Sequence, residues 1–275
     1  MQASSPVLPS FVADTAAADL DRRFGGLARL YGVPGAQRIR AAHVVVVGIG
    51  GVGSWAAEAL ARSGVAQLTL VDLDHVAESN INRQVHALDA TLGQAKVQAM
   101  RERIAQIHPD CQVHCVEEFV DASNWPGLLG LDPAADMSQL AVIDACDQVR
   151  AKTAMAAWAI KHKVKFVSVG AAGGKRHAHQ VEIEDLAMTT HDPLLAQLRY
   201  RLRKEQGAAR QGKIGVACVF SREPVMPPDA SCAIGEDAVA QSDNTLNCHG
   251  YGSVVSVTST FGLCAAGWVL NKFAK

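Results

Sequence analysis

The segment HVVVVGIGGVGSWAAEALAR, residues 43–62, decides the fold of this chain. Its β-branched run is typical of a buried strand, and the Ala- and Leu-rich run at its end has the spacing of a helix. Four glycines between the two satisfy the pattern G-x-G-x-x-G: Gly48, Gly50, Gly51 and Gly53. This context predicts a phosphate-binding loop, because glycines let the backbone approach a phosphate and the helix N terminus supplies unpaired N–H groups. The alternative is a glycine turn needed only for close packing of strand and helix.

The pattern of strand and helix continues along the next hundred residues. Further strands are predicted at Gln67–Asp72, Gln112–Glu117, Leu140–Asp144 and Lys165–Val169. Helices are predicted at Lys96–Ile107 and Arg150–Lys161. Alternating apolar strands and helices predict an α/β fold with a doubly wound, mostly parallel, Rossmann-like sheet that binds its ligand at the carboxyl ends of the strands.

The pattern changes after Gly170. Short strands are predicted at Gln180–Ile183 and Ile214–Phe220, with a charged helix at Pro193–Glu205 between them and a loop at Glu223–Gly252. We therefore expect a loose leader at residues 1–21 and a nucleotide-binding part at 22–170. A smaller mixed α+β extension with a buried interface helix is expected at 171–275, within one continuous domain.

Composition excludes several classes of protein. Hydrophobic residues make up 49% and charged residues 19%, which excludes a disordered or low-complexity chain. The formal net charge of −1 means that a nucleic acid would have to bind at a local basic patch. Seven cysteines without a C-x-x-C pair indicate reduced thiols, and with the absence of a secretory signal they predict a cytoplasmic protein.

One stretch has the length of a membrane-spanning helix. It runs from Tyr251 to Leu270 and contains no charged residue. Its first half nevertheless carries five hydroxyl side chains, and small residues fill much of the rest. This composition favours a buried helix at a subunit interface over a membrane span.

Polar side chains suited to a nucleotide follow the predicted strand Gln67–Asp72. They are Asp72, Asp74, Asn80, Asn82, Arg83, Gln84 and Lys96. A carboxylate at this strand end can accept hydrogen bonds from ribose hydroxyls, and amides can hold ribose and phosphate oxygens. Arg83 and Lys96 can offset the charge of a triphosphate and of a leaving pyrophosphate. Because a nicotinamide site needs neutral room here, the cluster favours an ATP-using enzyme over an NAD-dependent oxidoreductase.

Two further carboxylates close the strand Leu140–Asp144. Asp144 and Asp147 are predicted to lie at the same sheet edge as the glycine loop. A carboxylate beside phosphates suits the hard ion Mg²⁺. We expect Asp147 to bind Mg²⁺, with Asp144 as a supporting neighbour.

These motifs resemble the ubiquitin-activating-enzyme-like superfamily of ATP-dependent adenylating enzymes. The segments are GIGGVGS at 48–54, VDLDHVAESNINRQ at 71–84, IDACD at 143–147, and Lys96. Within that superfamily the chain resembles the bacterial tRNA threonylcarbamoyladenosine dehydratase family. The segments that carry this likeness are RFGGLARLYG at 23–32, NINRQVHAL at 80–88, AAGG at 171–174, DPLLAQLR at 192–199 and GKIGVACVFS at 212–221.

The resemblance implies a homodimer that activates the carboxylate of threonylcarbamoyladenosine, in the anticodon loop of tRNA, as an acyl-adenylate formed from ATP. Ring closure onto the activated carbonyl then releases AMP, so that the net change is loss of water. Arg83, Lys96 and Asp147 would be the catalytic residues. The resemblance also implies that an N-terminal arginine, Arg22, Arg23 or Arg29, reaches the nucleotide of the partner subunit.

A tRNA partner requires positive charge, which is densest at residues 199–213. This tract, RYRLRKEQGAARQGK, holds six basic residues against one acid. We expect Arg199, Arg201, Arg203 and Lys204 to contact tRNA phosphates. The alternative is a solvated helix face.

Cysteine positions bear on the remaining alternatives. The chain lacks the paired zinc cysteines and the catalytic thiol loop expected of an adenylating enzyme that acts on the C terminus of a ubiquitin-like sulfur-carrier protein. The resemblance implies a link to cysteine-desulfurase sulfur-relay proteins, for which Cys232 and Cys248 are the candidate thiols because both lie in the loop-rich segment. No cysteine is expected to be essential for the dehydration.

Overall fold

The structure, a computed structural model, describes residues 18–131, 136–229 and 251–275. The strands are β1 (His43–Val47), β2 (Gln67–Val71), β3 (Gln112–Val116), β4 (Leu140–Asp144), β5 (Lys165–Val169), β6 (Val181–Asp185) and β7 (Ala217–Ser221). The longer helices are α1 (Leu20–Arg40), α2 (Gly53–Arg62), α3 (Lys96–Ile107), α4 (Val149–His162), α5 (Pro193–Glu205) and α6 (Val255–Ala274).

The strands form one sheet in the order β3-β2-β1-β4-β5-β7-β6. Every neighbouring pair is parallel except β6 and β7, which are antiparallel. The predicted α/β class with a doubly wound, mostly parallel sheet is therefore confirmed. The order reverses between β1 and β4, and such a switch point opens a crevice at the carboxyl ends of the strands.

Apolar side chains cover both faces of the sheet. Alternate residues of β1 point to opposite sides, so that Val44 and Val46 join one core and Val45 and Val47 the other. The first core includes α2, α3 and α6, and the second includes α4 and α5. Burial on both faces explains why these strands are continuous apolar runs in the sequence.

The start of β7 differs from its prediction. Its predicted start was Ile214, whereas the strand begins at Ala217. The Asp185 carboxylate accepts hydrogen bonds from the backbone N–H groups of Ile214, at 2.9 Å, and Gly215, at 2.8 Å. Gly215 has φ +90°, and these two residues turn away from the strand path.

The C-terminal helix α6 packs closely on α2. A Cβ at Gly262 would overlap the backbone oxygen of Val52, so glycine permits this contact. Val257, Phe261 and Ala265 are buried in the same interface. None of the helices in the described part of the chain, α6 included, combines the length and the hydropathy of a membrane span.

The N-terminal helix begins inside the segment predicted as a leader. Leu20 is its first residue, and the Asp19 carboxylate caps it by accepting a hydrogen bond from the N–H of Arg22 at 2.9 Å. Residues 1–17 lie outside the described residues. β6 and β7 extend the same sheet as β1–β5, so the sheet itself does not mark a boundary at residue 170. The division of the chain at that residue stays a prediction.

Candidate active site

A cavity of about 420 Å³ lies along the carboxyl ends of the parallel strands. It begins near Phe119, after β3, and extends to Tyr251, beside the loop after β5. Nine of the residues predicted to bind the nucleotide or the metal line it: Gly48, Gly50, Gly51, Asp72, Asp74, Arg83, Gln84, Lys96 and Asp147. Folding therefore brings together side chains that are up to 99 positions apart in the sequence, from Gly48 to Asp147.

The four glycines of the loop have different roles. Gly48 has φ +87°, and a Cβ there would lie 2.9 Å from the carbonyl of Ala145. A Cβ at Gly53 would overlap the Gly48 oxygen, and Gly53 does not line the cavity. Close packing of strand and helix therefore explains Gly53, whereas Gly50 and Gly51 leave room at the cavity wall for a phosphate.

Asp72 fixes the glycine loop from the end of β2. Its carboxylate accepts hydrogen bonds from the N–H of Ile49 at 2.6 Å and from the N–H of Asp74 at 2.9 Å. Burial raises the pKa of this carboxyl, and the Lys96 ammonium 4.0 Å away opposes the rise. The carboxylate thus orients the loop and also lines the cavity.

Lys96 and Arg83 supply positive charge to the cavity. The Nζ of Lys96 lies 2.7 Å from Oδ2 of Asp74, and its side chain is almost buried. Arg83 donates from Nη1 to the oxygen of Ser79 at 2.7 Å and to Oδ1 of Asn82 at 2.9 Å. Its Nε and Nη2 make no hydrogen bond within the described residues, so these donors are available to a ligand.

The three predicted amides separate in the structure. Gln84 lines the cavity, and its buried Oε1 has no hydrogen-bond partner in the described part of the chain. Asn80 is buried and accepts from the N–H of Ala77 at 3.0 Å, whereas Asn82 donates to the oxygen of Ser253 at 3.1 Å. Neither Asn80 nor Asn82 lines the cavity, so both shape the loop that presents Arg83 and Gln84.

The two acids after β4 have opposite surroundings. Asp147 is exposed and lines the cavity, at the sheet edge where the sequence predicts it. Asp144 was predicted to support it but is fully buried, 3.0 Å from the Nζ of Lys152, and accepts from the hydroxyl of Ser168 at 2.6 Å. Asp144 does not line the cavity, because its side chain points into the layer beneath the loop.

Lys152 is a buried charge that the sequence reasoning missed. Its Nζ also donates to the oxygen of Val169 at 2.8 Å, which ties the ends of β4 and β5 together. Burial opposes its charge, but the Asp144 carboxylate holds the pKa of Lys152 above its ordinary value. The available signal was a lysine near the start of the predicted helix Arg150–Lys161, followed by a run of small and apolar residues.

The loop after β5 has a second buried anchor. Asp192 caps α5 by accepting from the N–H of Leu195 at 2.9 Å, and its other oxygen accepts from the N–H of Ala171 at 2.9 Å. A Cβ at Gly170 would overlap this carboxylate. Burial raises the pKa of Asp192. Together with Lys152, this residue fixes the floor of the cavity near β5.

The four predicted RNA-binding side chains of α5 make contacts within the protein. Arg199 donates from Nη1 to both oxygens of Thr189 and to the oxygen of Leu186, at 2.9 to 3.0 Å. Through Nη1 the guanidinium anchors α5, and the expected contact of Arg199 with tRNA stays a prediction. Arg201 pairs with Glu205 at 3.0 Å, Arg203 donates to the oxygen of Ala209 at 3.2 Å, and the Nζ of Lys204 lies 5.5 Å from the ring centre of Tyr200.

Two other groups of predicted residues lie away from this cavity or outside the described residues. Arg23 is not in the cavity of its own chain and donates to the oxygen of Ile107 at 2.6 Å. The candidate thiols Cys232 and Cys248 lie outside the described residues.

Cys146 lines the cavity, but burial and the Asp144 carboxylate raise its pKa well above the ordinary value. Its thiol donates to Asp144 and stays protonated, which does not suit a nucleophile.

The donors in the cavity fit Mg²⁺ held between protein and phosphates. Asp147 forms no hydrogen bond or ion pair within the described residues, so its oxygens are available. Across those residues, no group of three or more His, Cys, Asp and Glu could form a metal site by itself. One carboxylate plus phosphate oxygens and water is nevertheless a common way for proteins to bind Mg²⁺.

Comparison with known proteins shows which sequences and structures this chain resembles. The model of the ThiF family matches residues 22–274. The chain is 44% identical over 257 residues to the tRNA threonylcarbamoyladenosine dehydratase of Escherichia coli, covering 91% of this chain and 93% of that protein. Two crystal structures of the E. coli enzyme superpose with a TM-score of 0.79, and each covers 94% of this chain and 96% of its own. The ATP complex is 41% identical and the AMP complex 43% identical to this chain.

Proposed function

The chain belongs to the ThiF family, and on this premise we propose that it is an ATP-dependent enzyme that dehydrates threonylcarbamoyladenosine in tRNA. The observation that carries the proposal is the cavity in which a glycine loop, Arg83, Lys96 and Asp147 meet. The choice of substrate is supported by the likeness, over most of both chains, to a dehydratase whose structures contain ATP or AMP.

The proposed reaction has two steps. The threonyl carboxylate of the modified adenosine attacks the α-phosphorus of ATP, forms an acyl-adenylate and releases pyrophosphate. The carbamoyl group then attacks the activated carbonyl, loses a proton and expels AMP with the former carboxylate oxygen. ATP is needed because AMP is a good leaving group from carbon and a carboxylate oxygen is a poor one.

The protein acts mainly by positioning charge. The amides of the glycine loop and the free donors of Arg83 bind the phosphates, and Asp72 accepts from the ribose. Lys96 stands between Asp72 and Asp74, 4.0 Å and 2.7 Å from their carboxylates. These two carboxylates fix its ammonium beside the nucleotide, where it stabilises the negative charge that grows on the phosphates as pyrophosphate leaves.

Mg²⁺ is proposed as the metal at Asp147. When bound, it would neutralise part of the phosphate charge. Asp147 would hold it from the loop after β4, while the fixed layer of Asp144 and Lys152 keeps that loop in place. The exposed carboxylate and its lack of a partner within the described residues support this assignment.

Other parts of the proposal concern partners and location. The RNA would contact Arg199, Arg201, Arg203 and Lys204, each of which is at least partly exposed on α5. A homodimer would allow Arg23 to reach the partner's nucleotide, and α6, whose Leu263 is 48% exposed, would contribute to the interface. A cytoplasmic location, and a sulfur-relay role of Cys232 or Cys248, remain expectations from the sequence.

The proposal is tested with threonylcarbamoyl-modified tRNA, ATP and Mg²⁺. Nucleoside mass spectrometry should detect a species lighter by one water, formed in step with AMP and pyrophosphate. An adenylating enzyme for a sulfur-carrier protein would instead consume ATP only when that carrier protein is present. An NAD-dependent oxidoreductase would not consume ATP. Release of ADP would contradict the adenylation step.

A further inference from the structure

The cavity has two ends of unlike chemistry. The end near β1 and β2 carries charged side chains, among them Asp72, Arg83 and Lys96. At the end beyond β4, none of the described lining residues near the loop after β5 is charged. They include Gly170, Ala171, Gly173, Pro193, Leu194 and Tyr251. This wall has no cationic side chain to offset the charge of a phosphate, and it suits a neutral, flat group.

The sheet order separates these two ends. Phe119 follows β3 and Gly173 follows β5, and four strand spacings separate these strands, roughly 19 Å. In nucleotide folds of this type the carboxylate after β2, here Asp72, takes the ribose, and the glycine loop takes the phosphates. The adenine of ATP then lies on the β3 side, near Phe119. The β5 end remains for the second reactant, with the α-phosphate between the two.

Tyr251 forms the wall of the β5 end. Its residue exposure is 36%, and its Cβ lies 3.6 Å from where a Cβ of Gly173 would be. The backbone there is braced, because Gly174 donates to the oxygen of Gly252 at 3.0 Å and accepts from the N–H of Met226 at 2.8 Å. A partly exposed aromatic side chain in the cavity wall, next to a backbone held by hydrogen bonds, is a suitable platform for a nucleobase.

The basic helix α5 starts at the same end. Pro193 and Leu194 line the cavity, and the helix then extends over 13 residues, about 20 Å, with Arg201, Arg203 and Lys204 in its second half. Positive charge therefore begins a few turns away from the uncharged end. A single-stranded RNA loop could place one base in the cavity while its phosphates follow this helix.

We propose that Tyr251 is the stacking platform for the modified adenine of tRNA, and that it determines affinity for the RNA substrate separately from ATP. The inference rests on the proposed function and adds a residue that binds the base at its second reactant site. With the adenine on Tyr251, its threonyl carboxylate would extend toward the glycine loop, where the α-phosphate lies.

The test compares two aromatic residues at opposite ends of the cavity. KM for modified tRNA and KM for ATP are measured separately for wild type, Tyr251→Ala, Tyr251→Phe and Phe119→Ala. Loss of a base-stacking ring costs about 1 to 3 kcal/mol, so Tyr251→Ala should raise KM for tRNA about 5- to 150-fold and leave KM for ATP unchanged. Tyr251→Phe retains the ring and should restore tRNA affinity, whereas Phe119→Ala should raise KM for ATP alone.

The outcomes separate this inference from the proposed function. An unchanged KM for tRNA in Tyr251→Ala, with wild-type dehydration intact, overturns the role of Tyr251 only. A rise in KM for ATP instead would place the ring at the nucleotide and also overturn it. Absence of dehydration in the wild type would overturn the proposed function itself. The ATP affinity of Tyr251→Ala reports whether the variant is folded.

Discussion

The cavity wall and the buried layer beneath it use the same residue types in opposite ways. In the buried layer, Asp144 and Lys152 are fully buried and satisfy each other at 3.0 Å. In the wall, Asp147 and two donors of Arg83 have no partner within the described residues. Charged side chains that have partners inside the protein should contribute mainly to its stability. Charged side chains that face the cavity should contribute mainly to its activity.

The largest expected effect comes from the buried layer. Lys152→Met leaves the Asp144 carboxylate buried without its cation, which should lower the free energy of unfolding by about 3–5 kcal/mol. Denaturant titration measures this loss. Asp147→Asn is the matched control: it should change stability by no more than about 0.5 kcal/mol and reduce turnover. Equal stability losses in the two variants would break the distinction.

The next effect concerns the wall. Lys96→Ala should lower turnover by more than about 10²-fold, the scale for one preorganised electrostatic group. Steady-state kinetics at saturating ATP measures it, and Arg83→Ala should behave similarly. Both variants should remain folded in a thermal melt. If activity falls only in proportion to the fraction of unfolded protein, Lys96 is a structural residue and the assignment is wrong.

These two regions also show what the sequence could predict. The bounds of α3, α5, β4 and β5 match their predictions because local apolar patterns, caps and prolines decide them. Asp144 and Asp147 differ only in position, and the sequence cannot say which side chain the packing of α4 turns inward. Likewise, the start of β7 depends on Asp185 in a neighbouring strand, and no local pattern contains that interaction.

A histidine near the wall gives a pH-dependent test. Burial, aided by Lys96 and Arg103, lowers the pKa of His86 to about 4 from its ordinary value of 6.5. Above pH 6.5 His86 is neutral in both the folded and unfolded chains. Between pH 6.5 and 4 only the unfolded chain takes up this proton, so the stability contribution is present above pH 6.5 and is lost as the pH falls.

The expected size is on the order of 1–3 kcal/mol across this window. Urea unfolding at several pH values should show the decline, and His86→Leu should have a shallower one. An identical pH dependence in both proteins would mean that His86 does not remain neutral when folded.

The smallest effect concerns the basic residues of α5. Replacing Arg201, Arg203 and Lys204 with Ala should weaken tRNA binding and flatten its salt dependence by about one slope unit for each phosphate that the variant no longer binds. ATP affinity should not change. Arg199→Ala should also lower stability, because its Nη1 donates to Thr189 and Leu186. An unchanged salt slope in Arg199→Ala would mean that Arg199 does not contact tRNA, and an unchanged slope in the triple variant would mean that the tract is a solvated helix face.

The most direct test of adenylation follows an oxygen atom. Modified tRNA whose threonyl carboxylate carries ¹⁸O is incubated with the enzyme, ATP and Mg²⁺, and the released nucleotide is analysed by mass spectrometry. Because the carboxylate attacks the α-phosphorus and AMP leaves with that oxygen, the AMP should contain one ¹⁸O atom. Unlabelled nucleotide with ¹⁸O in inorganic phosphate would mean that the terminal phosphate is attacked, and it would contradict the acyl-adenylate.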